Sequence, residues 1–200
     1  MAAMPLLRCV NAAWTAACLF VPICALADDA GAPDCTSAPC RAARTVDLRF
    51  GENELRFGVP VSPYTTGDGH IVIFPGERLV FLFSSTADAP GTPRFVREEA
   101  IDAPEGALKD APPGTLILNY GQFAGKDTMT LTLQHNLPAT LKLKAFMSVP
   151  GPDGFKLTYT STCPIMPNIV GMENWVQPLG LIILEDFAFQ KGAPGTMVCD

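Results

Sequence analysis

The chain is 200 residues long, with 14 Lys and Arg against 20 Asp and Glu and a formal net charge of −6. That balance argues against nucleic acid and anionic membrane surfaces as partners, because both reward clustered basic residues and here the acidic ones run from Asp28 to Asp200. Charged residues make up only 17% of the chain and prolines number 19, a composition that suits an all-β chain with many turns better than solvated helices.

The first 27 residues read as a secretory signal. Arg8 is the only charge before Asp28, an apolar stretch follows from Cys9 to Phe20, and Ala25-Leu26-Ala27 places small side chains where a signal peptidase needs them. Cleavage is expected after Ala27. An uncleaved anchor fits less well, because the apolar run is interrupted by Asn11 and Thr15 and is shorter than the roughly 20 residues a bilayer needs. Lipidation of Cys24 is disfavoured by the bulky Ile23 before it. An exported product, periplasmic or secreted, with no membrane span after cleavage is the expectation.

Cleavage would leave 173 residues carrying four cysteines and a single tryptophan. An even set of cysteines in an oxidising compartment is expected to pair, with Cys35 joined to Cys40 over a small loop and Cys163 joined to Cys199 over a long one. A zinc site is disfavoured because no C-x-x-C pair is present. Residues 28–44, rich in Ala, Asp and Pro, read as a flexible leader, and 45–200 as one domain.

From Thr45 the pattern alternates. Val46, Leu48 and Phe50, then Leu55, Phe57 and Val59, predict two half-buried strands around Gly51-Glu52-Asn53. His70 to Phe74 and Arg78 to Phe83 predict a hairpin turning at Pro75-Gly76-Glu77. Residues 84–114 read as a Pro-rich loop holding one short strand near Arg94 to Arg97 and a helical turn at Pro104 to Lys109. Strands return at Thr115 to Tyr120, Thr128 to Gln134 and Thr140 to Met147. The last two are expected to form a hairpin through His135-Asn136-Leu137-Pro138-Ala139, with one core face and one wet face. Phe155 to Ser161 and Leu179 to Phe189 complete the set. About nine or ten short strands without helical periodicity predict an antiparallel β-sandwich, immunoglobulin-like or cupredoxin-like, with long Pro-rich loops.

The segment from Cys163 to Pro178 stands out, since it reads as a loop yet carries Met166, Met172, Trp175 and several other apolar residues. Either it plugs one end of the core, with Trp175 as the plug, or Met166, Met172 and Trp175 form a recognition surface. Copper is the alternative chemistry. Its candidate ligands are His70, His135, Met129, Met147, Met166, Met172 and Met197, with His135 and Met166 the pair to test. Met129 and Met147 fall on predicted core faces, however, and no compact Cys-His-Met loop exists. A small hydrolase is the second alternative, but no G-x-S-x-G pattern accompanies the two histidines. Asp68 with His70 reads as turn chemistry, Glu98-Glu99 and Glu185-Asp186 as edge charge, and Asp127 and Asp153 lack calcium-loop spacing. No catalytic residue, resident metal or cofactor is assigned. The sequence therefore predicts a non-enzymatic binding or accessory module, holding an unidentified protein or peptide through loops or a strand edge.

Overall fold

A computed structural model describes residues 35–99, 111–122, 127–151, 154–190 and 199. The expected signal, residues 28–34 of the leader, the turn at Pro104 to Lys109, Asp153 and Met197 lie outside these residues. The described chain forms thirteen strands and no helix. They are β1 (Cys40–Arg41), β2 (Arg44–Phe50), β3 (Asn53–Val59), β4 (Ser62–Pro63), β5 (Ile71–Ile73), β6 (Glu77–Phe83), β7 (Pro93–Glu99), β8 (Thr115–Gln122), β9 (Met129–His135), β10 (Leu141–Gly151), β11 (Gly154–Thr160), β12 (Val170–Trp175) and β13 (Ile182–Phe189).

Two antiparallel sheets make the sandwich. One has the order β11-β10-β13-β5 and the other β12-β9-β8-β6-β7. Between them lies one core to which both contribute: Ile71, Ile73, Leu141, Leu143, Ala145, Ile182 and Leu184 from the first, and Leu79, Phe81, Leu116, Leu118, Tyr120, Met129 and Leu131 from the second. The small β2–β3 hairpin adds Leu48 to that core. It is held to the second sheet where the Arg49 N–H donates to Gln122 Oε1 and the Gly51 N–H donates to Asp127 Oδ2, each at 2.7 Å. Gly180 permits its ring contacts, since a Cβ there would come within 3.0 Å of the Phe57 ring and 3.2 Å of the Phe155 ring.

Two predicted hairpins are arches between the sheets. β5 pairs with β13 whereas β6 pairs with β7 and β8, so Pro75-Gly76 carries the chain from one layer to the other. The corner is set by Glu77, whose Oε2 accepts the Phe74 N–H at 2.8 Å, and by Gly76 at φ +80°. Likewise β9 pairs with β8 and β12 while β10 pairs with β11 and β13, and Leu137 between them is buried. Alternation shows which side chains face a core, and an arch satisfies it as well as a hairpin does. The wet face expected of β9 is also absent: Thr130, Thr132 and Gln134 are all buried, and Val80, Ala111 and Ile117 make a second cluster on that outer side.

Further differences are local. β7 extends over seven residues, beyond the short strand expected at Arg94 to Arg97. Cys163 to Pro178 is not loop throughout, because Val170–Trp175 pairs with β9 in regular register. The leader is built into the domain at its C-terminal end. Cys35 and Cys40 are disulfide-bonded, β1 pairs with β4, and Arg41 is only 1% exposed.

Candidate recognition edges

The sandwich has two lateral sides, and they differ in chemistry. On one side, around the edge strands β5 and β7, charge and aromatic stacking seal the flank. Arg41 donates from Nε to Glu77 Oε1 at 2.7 Å, from Nη1 to Ser62 Oγ and the Pro63 carbonyl, and from Nη2 to the Val72 carbonyl at 2.7 Å. Its guanidinium lies over the rings of Tyr64 and Phe74 at 4.6 and 4.7 Å. Tyr64 stacks flat on Phe95 of β7, and its hydroxyl donates to Glu98 at 2.7 Å. Arg44 donates from Nη1 to Glu98 at 2.9 Å, while its Nη2 lies 3.1 Å from Glu77 Oε1 as an ion pair without hydrogen-bond geometry. Stacked rings and paired charge at an edge discourage a further strand from docking.

The other side is formed by β11 and β12, the ends of the two sheets. Trp175 on β12 joins them, since its indole Nε1–H donates to Thr160 Oγ1 on β11 at 3.2 Å while its ring packs on the core. The chain between the two edges is pinned. Cys163 is bonded to Cys199, Thr162 Oγ1 donates to the Leu143 carbonyl, and Ile165 is buried and exchanges backbone hydrogen bonds with Leu141. Glycine at 171 accommodates Ile165, whose Cγ1 would lie 3.1 Å from an added Cβ. Beyond that anchor the apolar side chains turn outward: Met166, Ile169, Val170 and Met172 are all exposed, Met172 by 53%.

The structure thus divides the three candidate binding residues. Residues 172 and 175 are on opposite faces of β12 by the two-residue period of a strand. Met172 points away from the core, Met166 is exposed in the preceding turn, and Trp175 faces inward as a half-buried latch. Glu173 shares the inward face and accepts the Cys163 N–H at 3.3 Å, and burial pushes its carboxyl above the ordinary range. The sequence reading missed Ile169 and Val170 because it took the segment for a loop. The strand expected at Phe155 to Ser161 forms as β11, and its Phe155, Leu157 and Tyr159, to which the sequence assigned no face, are all exposed.

His135 is fully buried with both ring nitrogens engaged. Nδ1 accepts the Leu137 N–H at 3.2 Å, so the proton is on Nε2, which donates to the Ile165 carbonyl at 2.8 Å. That arrangement leaves neither nitrogen free for the metal alternative with Met166. His70 makes its contact with Glu185, 3.5 Å away. Met129 is in the core and Met147 packs against it. Among the described residues no group of three or more His, Cys, Asp and Glu side chains converges as a metal site would require.

Burial holds the His135 imidazole below its ordinary pKa, and its cation would have to give up the Leu137 hydrogen bond. The unfolded chain therefore binds more protons at this position in acid. The stability it contributes is complete above the unfolded value of about 6.5 and is lost as pH falls from there toward the lower folded value. Urea midpoints are expected to fall between pH 7 and pH 5, and His135→Gln should flatten that slope while lowering the midpoint at pH 7. An unchanged slope in the variant would show that other groups control it.

Comparison with protein-family models, with curated proteins and with solved structures finds no match to this chain. The fold and site define a class by themselves, an all-β sandwich with one sealed flank and one open apolar flank.

Proposed function

We propose that the protein is an exported, non-enzymatic binding module that holds an extended segment of a partner protein against the open edge of β12. The observation that carries this reading is the conjunction, on one edge strand, of main chain that pairs on one side only among the described residues and of exposed apolar side chains. The Asn136 N–H donates to the Thr115 carbonyl, so alternate residues of β9 bond to β8 and the intervening ones to β12. By the same alternation Gly171, Glu173 and Trp175 bond inward, and the main-chain groups of Val170 and Met172 point to the open side. An added strand would gain hydrogen bonds from these groups and specificity from the side chains beside them.

Export through residues 1–27 is part of the proposal. The two disulfides support it, because such bonds persist in oxidising compartments. The described residues contain no helix long and apolar enough to cross a membrane.

Selection of displayed peptides on the immobilised protein is the direct test. Peptides with alternating apolar residues are expected to bind in the micromolar range, and Met172→Asp should weaken them about tenfold or more with little change in melting temperature. Val96→Asp on β7 should leave binding intact. Failure to select any binder, or equal binding by Met172→Asp, would reject the reading. Trp175→Ala is a poor substitute, because it removes the Thr160 hydrogen bond and a core contact together.

A further inference from the structure

The edge of the other sheet carries a separate inference, independent of the peptide reading. β11 is exposed along nearly its whole length, and on its outer face Phe155, Leu157 and Tyr159 succeed one another at the two-residue period, 45%, 52% and 43% exposed. Such a strand at a sheet end attracts another strand unless its sequence prevents it. The only formal charge on it is Lys156.

The strand's hydrogen bonds are oriented by β10. Both main-chain groups of Ser148 bond toward β13: its N–H donates to the Leu181 carbonyl at 2.9 Å, and its carbonyl accepts the Gly180 N–H at 2.8 Å. Leu157 is the residue opposite Ser148 across the β10–β11 ladder. Its N–H and C=O consequently point to the open edge.

We infer that β11 is the seat of a second copy of this chain, paired antiparallel about a two-fold axis through Leu157. In that register Leu157 meets the second copy's Leu157, Phe155 meets its Tyr159, and Lys156 meets its Thr158. Every cross-strand pair on the outer face is then apolar or aromatic, and the lysines are kept from facing one another. A one-residue-shifted register, by contrast, cannot put a residue opposite itself on the two-fold. Aromatic and aliphatic partners directly opposite one another stabilise antiparallel pairs, and like charges oppose them. The aromatic rings are already oriented within one protomer. Phe155 is edge-on to Phe57 at 5.4 Å between centroids, and Tyr159 is edge-on to Phe146 at 5.6 Å. Little side-chain freedom remains to be lost on pairing. The first sheet would continue from one copy into the next as a single eight-stranded sheet, closing two exposed edges at once.

Sedimentation of the purified protein tests this. A dimer is expected, and Leu157→Lys should sediment as a monomer with its melting temperature retained apart from the loss of dimer linkage. Leu157→Cys should form a covalent dimer under mild oxidation, because Cα atoms of a hydrogen-bonded antiparallel pair lie about 5.5 Å apart, within disulfide reach. Val96→Cys, on the opposite flank, should not. A wild-type protein that stays monomeric at about 100 μM, well above the Kd that micromolar pairing implies, would overturn the inference. So would a Leu157→Lys dimer, or failure of Leu157→Cys to cross-link while the wild type sediments as a dimer.

Discussion

Replacement of Arg41 by alanine is expected to destabilise the fold by about 3–5 kcal/mol, the range for removing one partner of a buried ion pair. For a domain of this size that is a fall of about 10 °C in Tm. Arg41 and Glu77 are both buried, and the guanidinium uses Nε, Nη1 and Nη2 for Glu77, Ser62, Pro63 and Val72 while its faces meet two rings. Among the described residues, alanine would leave the Glu77 carboxylate in the interior with only the Phe74 N–H and the neighbouring Arg44 charge. Arg41→Lys should recover little, because an ammonium cannot reproduce the planar fork. Arg41→Met combined with Glu77→Leu should retain much more stability than Arg41→Ala, since neither charge is then stranded.

The acid response of Arg41→Ala has a definite sign. Burial already pushes the Glu77 carboxyl above its ordinary range, and the arginine is the strongest influence opposing that shift. Without it the folded-state pKa climbs further. A raised carboxyl contributes stability that is present below the unfolded value of about 4.3 and is lost as pH rises through the folded value. The deficit of the variant relative to wild type should therefore be larger at pH 7 than near pH 4.5, as urea titrations at the two pH values would show. A deficit independent of pH would mean that the cost lies in lost packing.

Opening the Cys163–Cys199 bridge by Cys163→Ser with Cys199→Ser is expected to have the second large effect. The two cysteines are 36 positions apart in sequence. Chain-entropy cost for a loop of that length corresponds to about 3–4 kcal/mol. The bridge also anchors the start of the connector that feeds β12, through Cys163, Thr162 and Ile165. Faster amide exchange is expected along Val170–Trp175 than in β8. The Cys35–Cys40 bridge closes only five residues, for which the same relation gives about 2 kcal/mol. Its larger consequence is local, because Cys40 is adjacent to the buried Arg41. Equal midpoints for the bridged protein and the Cys163→Ser, Cys199→Ser variant in urea would refute the entropic account.

Legibility varied with the range of the interaction. The β2–β3 hairpin was readable because its alternation and the Gly51 turn lie within sixteen residues, and Gly51 has the left-handed φ of +61° that such a turn favours. Both disulfides form as the spacing of an even set suggested. The arches at Pro75 and at His135 to Ala139 were not readable as arches, because the partner of each strand is chosen by main-chain bonds to residues far along the chain. Met166 and Met172 stood out as misplaced apolar residues and proved exposed, whereas Trp175, conspicuous for the same reason, faces inward. Phe155, Leu157 and Tyr159 carried an alternation indistinguishable from that of a core strand.

By itself, then, the sequence determined the class of fold, through alternation, proline content and turn residues, and it supplied an even set of four cysteines with a favoured pairing among three, which the structure selects. These follow from properties local to each segment and from simple counting. Which strands are neighbours, which edges are sealed and which open, and whether an apolar face meets a core or solvent were decided by tertiary structure alone. The physical reason is that a strand presents the same two-residue pattern whether its apolar face is covered or bare. Only the packing of one sheet on the other, with Arg41 and Glu77 closing one flank and Trp175 latching the other, determines the difference.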